Sequence, residues 1–180
     1  MNTRVSPDGH GWLAQMDRVW AIRLNRFAAA YPAACLLLRC ASRLGDGVLW
    51  YSLLAILLCM PGPVARACAL HMFAVGLISL LAYLVLKHTL GRPRPHLSCT
   101  EIRVHARVLD QFSFPSGHSV HAAAFTIVIA CHYPSAALIL SPIAALILAS
   151  RVVLGLHYPS DVIAGAAMGA GIALVTARWF

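Results

Sequence analysis

Ser150-Arg151-Val152-Val153-Leu154-Gly155-Leu156-His157-Tyr158-Pro159-Ser160-Asp161 is the stretch on which the reading of this chain turns. An apolar run, 136–149, arrives at Ser150, and another, 162–177, leaves after Asp161. Between them the chain is expected to turn at Gly155 and at Tyr158–Pro159, with Pro159 and Ser160 suited to start and cap the next helix. The loop thus sets an arginine, a histidine and an aspartate at the mouth of a hydrophobic bundle. An aspartate near a histidine can fix the proton on one ring nitrogen and free the other as nucleophile or base. Arginine grips a phosphoryl group through paired hydrogen bonds. A phosphate-handling loop is the first reading, and a boundary arginine and histidine without a chemical role is its rival.

Composition sets the background. Of 180 residues, 60% are hydrophobic and 11% charged, and the mean hydropathy is +0.76. Such a chain reads as one domain whose apolar surface faces lipid. The formal net charge of +8 is carried by arginine except at Lys87. Anionic headgroups or an anionic substrate suit this excess, and nucleic acid is excluded by the apolar background. The cysteines at 35, 40, 59, 68, 99 and 131 lack metal-ligand spacing, so neither a zinc site nor a disulfide framework is expected. The polar first residues do not read as a signal peptide.

Working outward, Met1–Gly11 is polar and expected to be poorly ordered. Trp12–Ala30 carries Leu13, Met16, Val19, Trp20, Leu24 and Phe27 at helical spacing, interleaved with Arg18, Arg23 and Arg26. It reads as a helix in the membrane interface. Tyr31–Leu44 either spans, dips in or lies flat, since Arg39 and Arg43 interrupt it. Val48–Met60 is a short apolar run, and Ala67–Leu86 has the length of a span. His71 within that span is read as an interhelical contact. Lys87–Phe114 is a charged, proline-containing loop. Three apolar helices follow, 116–131, 136–149 and 162–177, the last rich in glycine and alanine and suited to close packing. The fold class is all-α: a polytopic transmembrane helical bundle of five to six spans. Residues 1–44 form an N-terminal segment of interfacial or re-entrant helices, and residues 45–180 form the membrane core.

Alternation of the spans brings the unusual polar residues to one membrane face. Lys87 ends one helix, Pro115–His118 starts the next, Ser150–Arg151 ends the one after, and Ser160–Asp161 starts the last. A helix start offers free N–H groups to a phosphate, and Gly117 allows close approach. These three clusters, K-x6-R-P (Lys87 to Pro95), P-S-G-H (Pro115 to His118) and S-R-x5-H-x3-D (Ser150 to Asp161), resemble the three-part signature of the type 2 phosphatidic acid phosphatase superfamily. The resemblance covers residues 45–178.

The resemblance implies metal-independent, cofactor-free phosphoryl transfer through a phosphohistidine. His157 would be the nucleophile, Asp161 would hold its tautomer, and His118 would protonate the leaving group and then activate water. Lys87, Arg94, Arg151, Ser116 and the Gly117 N–H would bind the phosphoryl oxygens, stabilising the charge of the transition state. The partners implied are membrane lipids and a lipid phosphate substrate, with the oligomeric state open. Undecaprenyl or another isoprenyl diphosphate is the expected substrate, with phosphatidylglycerol phosphate, phosphatidic acid and lipid A phosphate as family alternatives. A phosphotransferase, or a non-catalytic anionic-lipid binder or transporter, would share many of these residues. Arg92 reads as a solvated loop residue or a grip on a second phosphate, and His88 and His96 flank the first cluster. His121 is read as structural, and Glu101 and Asp110 as surface pairs of small weight. The expected location is a bacterial inner membrane with the site facing the periplasm, on the argument that a spanning Tyr31–Leu44 places the N-terminal arginines across from the site.

Overall fold

The computed structural model describes residues 11–108 and 110–180; the expectation for residues 1–10 lies outside this range. It contains α1 (Trp12–Ala30), α2 (Pro32–Arg43), a π-helical turn (Leu44–Val48), α3 (Leu49–Cys59), α4 (Pro63–Leu90), the short α5 (Pro95–Ser98), α6 (Gly117–His132), α7 (Pro134–Val153) and α8 (Pro159–Thr176). Among the described residues the fold is all-helical, apart from an isolated bridge between Pro93 and Phe112.

The two short apolar stretches on either side of Gly45 form one membrane run. Residues 32–59 make one membrane run with a kink at the π turn, where Gly47 takes the non-helical φ 120°. Arg39 and Arg43 therefore lie within a span that the sequence divides. Among the described residues, four helical runs are long and apolar enough to cross a bilayer: Pro32–Cys59, α4, α7 and α8. With 16 residues, α6 rises about 24 Å and forms the fifth crossing, packed among α4, α7 and α8.

Glycine sets the closest of these contacts. A Cβ at Gly169 of α8 would lie 2.0 Å from the Val120 carbonyl oxygen of α6, and one at Gly165 would lie 2.7 Å from that of Ser116. Small residues that let helix backbones meet are the usual glue where lipid surrounds the bundle. At the far end His71 of α4 lies 2.9 Å from Thr176 Oγ1 and 3.2 Å from His132, the interhelical contact read from its isolation.

α1 lies across the loop end of the bundle. Ala21 packs with Cys99, Ile102 and Tyr158, and Ala28 with Val153, Leu154 and Leu156. Asn25 Nδ2 donates to the carbonyls of Arg103 and Val153 at 2.8 and 3.1 Å. Trp12, Leu13, Trp20 and Phe27 are exposed, giving the helix the apolar outer side expected of an interfacial element. The run that begins at Pro32 thus starts on the site face. This placement removes the premise of the outward orientation, because Arg18, Arg23 and Arg26 share the face of the site.

Candidate active site

The loop 154–158 is shaped by Gly155, which turns at φ 78° beneath Arg103; a Cβ there would meet the Arg103 carbonyl oxygen at 2.6 Å. It presents His157, which is 2% exposed. His157 Nδ1 lies 2.7 Å from the Ser113 carbonyl oxygen and 3.7 Å from Asp161 Oδ2. A carbonyl only accepts, so the proton sits on Nδ1 and the Nε2 lone pair faces the cavity, 3.3 Å from Arg94 Nη1. The tautomer is thus held by a backbone carbonyl, with the Asp161 carboxylate beyond hydrogen-bond range behind it. Burial pushes the imidazole down to about 4, with Arg151 and Arg94 adding to the effect and Asp161 opposing it.

Asp161 is fully buried and stabilised from three sides. It accepts from the Tyr158 N–H at 2.7 Å, from Arg92 Nη1 at 2.7 Å and from Ser113 Oγ. The first of these bonds caps α8, a role the sequence suggests for Ser160. Ser160 instead lies inside the first turn, and its N–H and hydroxyl both bind Asp17 of α1. Arg92 is partly exposed, but its guanidinium is already engaged and is not free for a second phosphate. Its guanidinium bridges Asp161 and Asp17, at 2.7 and 2.8 Å, and lies over the Tyr158 ring. Burial disfavours its charge, but the two carboxylates outweigh that cost and raise its pKa.

The remaining cations converge on the same cavity. Arg94 Nη1 donates to the Leu156 carbonyl at 2.7 Å. Lys87 Nζ and Arg94 Nη2 hold the two Asp110 oxygens at 2.7 and 2.9 Å. Asp110 is accordingly no weak surface pair. Burial raises its carboxyl, but the bonds from Lys87 and Arg94 prevail and hold it below the usual carboxylate range. Arg151 is 2% exposed, donates through Nη1 to Ser42, and has a buried Nε without a hydrogen-bond partner among the described residues. Ser116 caps α6 in extended conformation and Gly117 opens the helix. His118, next in α6, lies 2.7 Å from Asp46 of the π turn.

These groups line a cavity of about 380 Å³ whose polar end holds Lys87, Arg94, Gly117, His118, Arg151 and His157. Its walls continue along α3 and α4 past Tyr51, Leu54, Phe73, Leu77 and Leu80, so one space joins a cationic end to an apolar groove. His121 lines the cavity as well, stacked on Phe125. Of the site residues expected from the sequence, Lys87, Arg94, Gly117, His118, Arg151 and His157 meet in the cavity and Asp161 stands behind His157. Ser116 is instead fully buried behind Gly117, with its hydroxyl accepting from Ser119 Oγ at 2.9 Å, and does not reach the cavity. Asp17, Asp46 and the Ser113 carbonyl are additions. Asp17 and Asp46 show in the sequence only as rare acids in apolar surroundings, and a backbone carbonyl has no sequence signal.

A five-crossing helical bundle with a cation-lined histidine pocket at one membrane face defines an integral membrane protein of the phosphate-handling kind. Residues 67–180 match the model of the PAP2 superfamily, and the chain belongs to that family. It is 37% identical over 114 residues to a lipid A 1-phosphatase of Rhizobium etli, covering 59% of this chain and 48% of the relative. It is 32% identical over 129 residues to a decaprenylphosphoryl-5-phosphoribose phosphatase of Mycolicibacterium smegmatis, covering 71% and 68%. The chain spans about half the length of the lipid A 1-phosphatases it matches. Its fold is similar to that of a PAP2-type phosphatidylglycerolphosphate phosphatase from Bacillus subtilis, with a TM-score of 0.75, 23% identity and coverage of 95% and 88%. Aquifex aeolicus LpxE superposes with a TM-score of 0.77 at 21% identity, covering 92% and 94%.

Proposed function

We propose that this chain is a lipid phosphatase of a bacterial inner membrane, acting without a metal through a phosphohistidine. The observation that carries the reading is a buried, neutral imidazole with its proton fixed on Nδ1 by Ser113 and its Nε2 facing Arg94. Nε2 of His157 attacks phosphorus and the bond to the lipid oxygen breaks, its electron pair leaving with that oxygen. His118 gives the oxygen a proton. Water then returns a proton to His118 as its oxygen bonds phosphorus and the P–N bond breaks, releasing phosphate. Lys87, Arg94, Arg151 and the Gly117 N–H hold the phosphoryl oxygens, and Asp161 steadies the imidazole of His157. A lipid binder would need the cations but not a nucleophile held in one tautomer, whereas a phosphotransferase would differ only in its acceptor.

The substrate reading shifts from the isoprenyl diphosphate favoured by the sequence towards a lipid phosphomonoester. Arg92, the candidate for a second phosphate, is committed to two carboxylates, and Asp46 and Asp110 flank the remaining cations. A second phosphate would meet acids there. The names of the relatives point the same way, to the 1-phosphate of lipid A and to decaprenylphosphoryl-5-phosphoribose. The facing also shifts, to the cytoplasm, because the arginines of α1 lie beside the site.

Phosphate release in mixed micelles with excess EDTA tests the proposal, with wild type and His157→Ala compared on a lipid panel. Release is expected to survive EDTA, to vanish in the variant, and to be faster on monoesters than on a prenyl diphosphate. Loss with EDTA would sink the metal-free mechanism, and the reverse ranking would sink the monoester reading. Unchanged lipid with measurable binding would make the chain a binder, and phosphate passed to an added alcohol would make it a transferase.

A further inference from the structure

His118 Nε2 lies 2.7 Å from Asp46 Oδ1. A carboxylate only accepts, so the contact keeps a proton on Nε2 and leaves the other ring nitrogen to exchange one with substrate. The backbone around Asp46 is built for this approach. The run 32–59 kinks at Leu44–Val48, which turns Asp46 out of the helical register. Gly45 lies flat against the imidazole: a Cβ there would come 2.8 Å from His118 Cδ2 and 2.8 Å from Ile147 Cγ2. Gly47, on the other side of Asp46, takes the left-handed φ of 120° that releases the turn. Gly45, Asp46 and Gly47 all line the cavity that holds His118 and His157. They lie upstream of the family match at 67–180.

We propose that Asp46 is the positioning carboxylate of His118, orienting its ring and balancing the charge it carries as it gives up and regains a proton. The proposal rests on the phosphatase reading. As the bond from phosphorus to the lipid oxygen breaks, the proton of His118 moves to that oxygen and makes an alcohol. The proton returns from water in the second half-reaction, and none passes to Asp46. Each histidine then has its own carboxylate: Asp161 for His157 from within the family core, and Asp46 for His118 from the N-terminal part of the chain. Asp46 matters most where the leaving group needs a proton. An alkyl oxygen needs one, whereas p-nitrophenolate leaves without it. A carboxylate that only braced α3 against α6 would affect both esters alike.

The test compares phosphate release from phosphatidic acid and from p-nitrophenyl phosphate by wild type, Asp46→Asn, His118→Ala and the double variant. Asp46→Asn is expected to lower kcat/KM on the alkyl ester about 30-fold and to leave aryl-ester kcat/KM within about threefold, because kcat/KM reports formation of the phosphohistidine and not its hydrolysis, which both esters share. In the His118→Ala background it is expected to change the alkyl rate by less than about twofold, since the group it serves is gone. Equal loss on both esters, or a full further loss in the double variant, would overturn the proposal. Gly45→Ala, which pushes the ring from Asp46 while keeping the carboxylate, is expected to show the same split between esters. Its absence in a folded Gly45→Ala protein counts against the proposal even if Asp46→Asn does not fold. Release from neither ester by folded wild type would instead remove the phosphatase reading, and this proposal with it.

Discussion

His157 is an imidazole kept neutral by its surroundings, and this property is measurable apart from turnover. Burial, then Arg151 and Arg94, hold its pKa near 4 against the pull of Asp161. At pH 5.5 the ring should still be neutral with its proton on Nδ1. Nitrogen-15 NMR of histidine-labelled protein in detergent checks this, and a His157 signal titrating above pH 6 would contradict the burial argument. The linkage has a definite sign. Between about 6.5 and about 4 the unfolded chain binds a proton at this position that the folded one does not, so the site loses stability as pH falls through that window. His157 was legible in the sequence because its chemistry needs particular residue types at fixed spacing along one loop. The group that fixes its proton was not, because a carbonyl of Ser113 looks like any other carbonyl. Asp110 was misjudged for a related reason: a loop aspartate looks solvated until Lys87 and Arg94 are seen to close on it.

The helices are where the rarity of charge becomes structure. α1 is joined to α8 and to the Arg92 loop through one side chain, Asp17, which accepts from the Ser160 N–H at 2.9 Å, from its hydroxyl and from Arg92. Asp17→Ala removes all three bonds and leaves Arg92 with Asp161 and the Ser160 hydroxyl. It is expected to cost about 2–4 kcal/mol of stability and to lower kcat without raising KM, since the damage reaches the reaction through Asp161. Thermal unfolding in detergent with kinetics on one lipid measures both. An unchanged kcat would mean that α1 is a passive cover. The α6–α8 contact gives a sharper test: Gly169→Leu places side-chain carbon where a Cβ alone would meet a backbone oxygen at 2.0 Å. Backbone, unlike a rotamer, cannot step aside, so a loss of about 3 kcal/mol or more is expected, where most core overpacking costs less. The glycine-rich run announced close packing in the sequence. The partner of Arg92 was hidden, because Asp17 lies 75 positions away on a helix whose visible pattern is amphipathic.

At the scale of the whole molecule, charge is unevenly divided between the two ends of the bundle. Arg18, Arg23 and Arg26 ride on α1, and Arg103 and Arg107 on the loop before α6, all at the site end. Arg66 near the start of α4 and Arg178 after α8 stand at the other end. The arginines committed to the cavity do not enter this comparison, and the excess at the site end persists without them. Short basic segments near span ends stay on the cytoplasmic side during insertion. The outward facing expected from the sequence rested on one of the readings left open for 31–44, a span separate from its neighbour, which would have set α1 across the membrane from the site. Once 32–59 is one run, five crossings (32–59, α4, α6, α7 and α8) follow α1. The described residues then begin on the site face and end on the other. A fusion after Phe180 therefore reports the face opposite the site. With the site inward, fused alkaline phosphatase should be active and a fused green fluorescent protein dark. The reverse pattern would place the site outside, with the arginines of α1 held there against the usual bias. In that case their excess would have to be explained by the anionic lipid they meet rather than by insertion.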